Sequence, residues 1–140
     1  MTAPAAVSTT GNAWTRLPVA ARIAIVYVLA RLVTTAFFLF AASLSAEGSR
    51  FGVAPSLPDL AIGWDAQWYW TVAVSGYPSQ LPLAEAGHIA ENAWAFMPLY
   101  AYLSAGVGFF LGSWGAGAVV VSLIAGYGAC AVLHAMLRER

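Results

Sequence analysis

Charge is what this sequence has least of. Only 9% of its 140 residues are Asp, Glu, Lys or Arg, the formal net charge is zero, and the basic residues are scattered. A chain so poor in cations has no stripe with which to neutralise phosphates, which excludes nucleic-acid binding. Cysteine is nearly missing as well. Cys130 stands alone inside an apolar run, so an intramolecular disulfide or a cysteine metal site is excluded and a small packed residue is expected. Histidine is limited to His88 and His134, far apart in sequence, so no metal pair is visible and none is expected. No internal repeat appears, and no segment is polar enough to be cut out as a soluble domain.

What is abundant is apolar. The hydrophobic share is 61% and the mean hydropathy is +0.74, well above the ~45–50% of ordinary soluble domains. The expected class is therefore an all-α polytopic integral membrane protein in contact with membrane lipid. Residues 1–17, rich in Ala, Thr, Ser and Pro, read as a mobile amino-terminal tail, and residues 18–140 as one membrane unit. The first span is expected at about 19–45, opened by Pro18 and long enough for the roughly 20 residues that crossing a bilayer takes. Arg16 and Arg22 flank its start, which by the positive-inside tendency puts the amino terminus in the cytoplasm. A cleaved signal peptide is the competing reading, but the apolar region is too long and Arg31 interrupts it. Arg31 falls roughly 16 Å along the helix from Ala20 at about 1.5 Å per residue. A guanidinium at that depth either snorkels to the near surface or faces a wet cavity and a partner anion.

Residues 46–93 form the exported, extracytoplasmic connection. It carries Glu47, Asp59, Asp65, Glu85 and Glu91 against Arg50 alone, and loops of that length without structure of their own tend to be functional. Its middle is the most distinctive stretch of the chain: Trp64-Asp65-Ala66-Gln67-Trp68-Tyr69-Trp70, running on to Gly76-Tyr77-Pro78. Indole and phenol rings favour the headgroup layer, so this reads as a short interfacial helix stopped by Gly76 and Pro78. Helical spacing places Asp65, Tyr69 and Val72 on one face and Trp64, Trp68 and Thr71 on the next. Asp65 is then either a catalytic base at a lipid surface or a helix-opening carboxylate. Glu91 and Asn92 are expected to cap the following helix, and His88 is expected to be a solvated loop residue.

A second span is expected at about 94–112, with Pro98 in its first turn and Trp94 and Tyr100 at its outer end. A third is expected at about 116–137. The spacing Gly108-x3-Gly112, with Gly126 and Gly128 further on, permits close helix contact. Three crossings leave Arg138 and Arg140 outside, against the positive-inside tendency. The alternative makes residues 94–112 re-entrant, leaving two spans and a cytoplasmic end.

Two linked blocks, Trp64-Asp65-x4-Trp70-x2-Ala73-x2-Gly76-Tyr77-Pro78 and Ala95-Phe96-Met97-Pro98-Leu99-Tyr100, resemble the PIG-V-type mannosyltransferases of the GT-C superfamily. Met97 replaces the usual second Phe, and Ala101 the usual second Pro. The resemblance covers about residues 16–137 and only the amino-terminal third of such an enzyme. It implies transfer of a sugar from a polyprenyl-phosphate donor, with mannose the sugar implied, to an acceptor hydroxyl at the outer membrane face. Asp65 matches the family's first-loop acid and would be the general base. Trp64, Trp68 and Tyr69 would stack on sugar or polyprenyl, Arg31 would meet a phosphate, and Glu91 is the second candidate acid. No cofactor is implied beyond the lipid-linked donor. Further transmembrane segments or a larger membrane partner would complete the donor site; otherwise the chain is a non-catalytic relative or accessory subunit.

Overall fold

The computed structural model describes residues 12–85 and 87–139. Most of the expected tail lies outside these residues. Its last part, Ala13–Arg16, forms a short helix, α1, where Asn12 accepts a hydrogen bond from the Trp14 amide. Pro18, which has no amide hydrogen to leave unpaired, then precedes α2, Val19–Ser43. Ala, Leu and Arg alternate along α2 with β-branched and aromatic residues, and two of its hydroxyls bond to carbonyls of the preceding turn. Thr34 donates to the Ala30 carbonyl and Ser43 to that of Phe40, each at 2.7 Å, so neither presents a bare polar group on an apolar helix.

Three shorter elements follow. α3 spans Leu57–Ile62, α4 spans Ala66–Ser75, and Ala93–Ala95 makes a single 3-10 turn. α3 is short enough to need its capping box. The Ser56 hydroxyl and Asp59 carboxylate meet at 2.5 Å, and Asp59 also accepts the Ser56 amide at 2.9 Å. These two bonds hold the Asp59 carboxyl below its ordinary value, side-chain bond first, because both favour the charged form. Between α4 and the 3-10 turn the chain folds back on itself, with Leu83 bridged to Ile89 and exposed His88 in the turn.

The chain ends in a hairpin of two helices, α5 at Pro98–Leu111 and α6 at Trp114–Arg138. Gly112 takes the left-handed conformation (φ 80°, ψ −2°) that ends α5, and the Ser113 side chain caps α6. Small residues let the two backbones touch. A Cβ on Gly117 would overlap the Ser104 carbonyl and the Gly108 backbone, and one on Gly108 would stand 2.6 Å from the Ser113 carbonyl. Gly108 is thus a contact residue as expected, whereas Gly112 serves the turn. Gly126 seats the Tyr27 hydroxyl of α2, and Gly128 meets nothing.

Among the described residues all regular elements are helical, and α2 and α6 are long and apolar enough to cross a membrane. α5 has 14 residues, about 21 Å at 1.5 Å per residue, against a hydrocarbon thickness of about 30 Å. The second of the three expected crossings, at 94–112, therefore does not follow from its length.

Candidate functional site

The site is built on the first turn of α4. Its helix starts later than its aromatic pattern predicts, because Trp64 has φ +57° and lies outside it. A left-handed conformation costs a bulky residue about 1–2 kcal/mol, and here local packing holds it. The Phe51 ring lies where a side chain on Gly63 would go and meets the Trp64 indole at 6.4 Å, while the Arg50 guanidinium sits 4.9 Å above that indole. Trp64 consequently leaves the stripe it was expected to share with Trp68 and Thr71. It is 65% exposed, with one face taken by Arg50.

The same turn sets Asp65 as the residue immediately before α4. Its carbonyl accepts from the Trp68 and Tyr69 amides, but its exposed carboxylate makes no capping bond to the helix.

Below Asp65 the helix is anchored. Val72 is 0% exposed and packs with Ala93 and Ala101. Tyr69 makes edge-on contacts with Phe96 and Tyr100 at 5.1 and 4.9 Å, and Trp68 stacks on Phe96 at 6.2 Å. Both rings thus spend part of their surface on Phe96, just ahead of α5, and Tyr69 also reaches Tyr100 within α5. Gly76 ends α4, as its position predicts, at φ 71°, ψ −158°, a positive-φ region reserved for glycine and distinct from the left-handed helical one. That turn delivers Tyr77 and Pro78 to the next block. Tyr77 stacks on Trp94 at 4.4 Å and donates to the Phe96 carbonyl at 2.6 Å, and the Trp94 indole donates to the Pro78 carbonyl at 3.0 Å. The two sequence blocks are one packed unit.

Glu91 is exposed beside that unit. It lines a cleft of about 350 Å³ with Trp68, Thr71, Ser75 and Asn92. Trp68, Thr71 and Ser75 lie on the face of α4 next to that of Asp65, which does not line the cleft. Asn92 caps the 3-10 turn, accepting from the Trp94 amide at 3.0 Å, and α5 starts at Pro98 with no side-chain cap. The capping role expected of Glu91 and Asn92 thus falls to Asn92 and to the 3-10 turn. Among the described residues no three His, Cys, Asp or Glu side chains cluster as a metal site would require.

No protein family, curated protein or solved structure matches the chain.

Arg31 stands elsewhere. Its guanidinium lies 5.2 Å from the Tyr27 ring centroid, one turn back along α2, in a cleft between α2 and α6 lined by none of the other candidate site residues. Sequence reasoning missed the company it keeps. Arg22 and His134 line the same cleft, each with a buried nitrogen that has no partner. It missed Arg50 and Phe51 too, which hold Trp64; only a bulky residue after Gly63 hinted at a strained turn.

Proposed function

We propose that this chain is an integral membrane protein carrying the acceptor-activating acid of a glycosyltransferase of the GT-C type. α2 and α6 cross the bilayer, the amino terminus is cytoplasmic, and α3, α4 and the following loop lie on the exported side. The membrane reading is supported by the apolar surface, since Phe109 and Phe110 are 83% and 85% exposed and α2 is uncovered over most of its length. Water would not tolerate so large a contiguous patch. The cleft between α2 and α6 also joins Trp14, ahead of α2, to Leu137 near the end of α6. That favours both chain ends on one side, with Arg16, Arg22 and Arg138 together as the positive-inside tendency prefers.

One observation carries the enzymatic reading: an exposed, uncapping carboxylate at the start of the helix that locks the two sequence blocks together. In the proposed reaction Asp65 takes the proton of an acceptor hydroxyl. That oxygen attacks the anomeric carbon opposite the phosphate, the bond to the phosphate oxygen breaks, and the centre inverts. The cleft beside α4, lined by Trp68 and Glu91 but not by Asp65, offers an aromatic surface and a hydrogen-bond acceptor to a sugar.

The test is transfer from a polyprenyl-phosphate mannose donor in membranes containing the protein. Asp65→Asn is expected to lower transfer about 10²- to 10⁴-fold, the usual worth of a positioned base, without changing insertion or abundance. Transfer unchanged in that variant overturns the assignment. Glu91→Gln is expected to weaken donor or acceptor binding and to spare the maximal rate.

A further inference from the structure

The cleft between α2 and α6 has a volume of about 510 Å³ and a lining that is apolar except for a few cationic or polar groups. Those groups are Arg22, Arg31 and His134, with Tyr27 and Cys130 beside them, and no acid is among them. Arg22 Nε and His134 Nε2 are buried without a hydrogen-bond partner. A buried, unpartnered guanidinium nitrogen is costly, and the natural remedy is an anion.

We infer that this cleft holds one anionic glycerophospholipid of the surrounding bilayer, on the side where the chain starts. The inference rests on the membrane placement above and not on the role of Asp65. Arg22 and His134 take the phosphate near the beginning of α2, where Trp14 supplies the headgroup-level ring. Arg31 lies nine residues deeper and on the opposite flank of the lining face, and it leans back over Tyr27. At that depth a guanidinium, which only donates, requires acceptors. The ester carbonyls of a glycerophospholipid lie below its phosphate and provide them. A polyprenyl phosphate has only hydrocarbon there, which decides between the two lipids. Ile23, Val26, Leu133 and Leu137 line the remaining surface for an acyl chain.

The experiment is native mass spectrometry of the full chain released from nanodiscs of equal phosphatidylglycerol and phosphatidylcholine, with and without added polyprenyl monophosphate. One retained phosphatidylglycerol is expected, preferred about tenfold over phosphatidylcholine and not displaced by the polyprenyl lipid. Arg22→Gln and Arg31→Gln are each expected to reduce retention about tenfold, the loss of one good charge-assisted contact. Arg138→Gln, outside the cleft, is expected to leave retention unchanged. Helix content by circular dichroism and the milder Arg22→Lys, which keeps the charge and gives partial retention, separate loss of binding from loss of fold. Equal retention of both phospholipids, displacement by the polyprenyl lipid, or retention unaffected by both glutamine variants in folded protein would overturn the inference. None of these results bears on sugar transfer. If labelling instead showed that α2 and α6 do not cross the bilayer, the membrane placement itself would fail.

Discussion

Two residues with positive φ, Trp64 and Gly76, bracket α4. Gly76 adopts φ 71°, ψ −158° with open space around its Cα, so replacing it meets no neighbour and costs only conformational strain, about 1–3 kcal/mol for a side chain in that region. Gly76→Ala is expected to lower the thermal midpoint in detergent and to loosen Tyr77 from Trp94, read as a change in tryptophan fluorescence. Tyr77→Phe removes the 2.6 Å bond to the Phe96 carbonyl. It leaves the stacking intact, so a loss of about 1 kcal/mol is expected. Trp64 is the other position. Its φ of +57° is sustained by Phe51 and Arg50, and the turn aims Asp65 as a consequence. The order Gly63-Trp64-Asp65 hints at a strained turn but does not announce that the helix waits until Ala66.

At the scale of elements, short helices depend on their caps and long ones on close approach. α3 is held by the reciprocal bonds of Ser56 and Asp59. Because folding depresses the Asp59 pKa, the contribution of the box is fully present above the unfolded value near ~3.9 and disappears as pH falls through the lower folded value. Protection of the α3 amides from hydrogen exchange, corrected for intrinsic rates, is therefore expected to hold from neutral pH to about pH 5 and to fall below about pH 4. Ser56→Ala should lose it at every pH. In the α5–α6 hairpin, Gly117→Ala forces a methyl against the Ser104 carbonyl and the Gly108 backbone. Overpacking of this kind costs about 1–3 kcal/mol, to be read as a lower thermal midpoint, and the same change at Gly128, which meets nothing, should be neutral or slightly stabilising.

The whole molecule is two long apolar helices that touch over a limited region, with a packed unit of α4, the 3-10 turn and α5 attached to α6. Tyr27 and Tyr127 meet edge-on at 6.4 Å, and the Tyr127 hydroxyl donates to the Ala20 carbonyl at 3.3 Å. The proposed placement of both ends on one side is testable in a Cys130→Ala background. Impermeant maleimide is expected to reach Thr15→Cys and Glu139→Cys from the same side, and Ser79→Cys from the other. Glu139→Cys labelled together with Ser79→Cys would restore an odd number of crossings.

Composition alone determined that the chain is unusually apolar, at 61% hydrophobic and 9% charged residues, and the length of its apolar runs pointed to helices, because a run of about 20 residues is far longer than a strand needs. Periodicity and the Pro and Gly stops located α2, α4, α5 and α6 to within a few residues, since those signals act through the local backbone. Only tertiary structure decided what each ring is for. Tyr69 and Trp68 face Phe96 and Tyr100 from a separate part of the chain, and Tyr77 reaches a carbonyl nineteen residues on. Arg22, Arg31 and His134 share one cleft although more than a hundred residues separate α2's arginines from the histidine. Such pairings depend on which helix faces lie against each other, a question that spacing along one helix cannot answer.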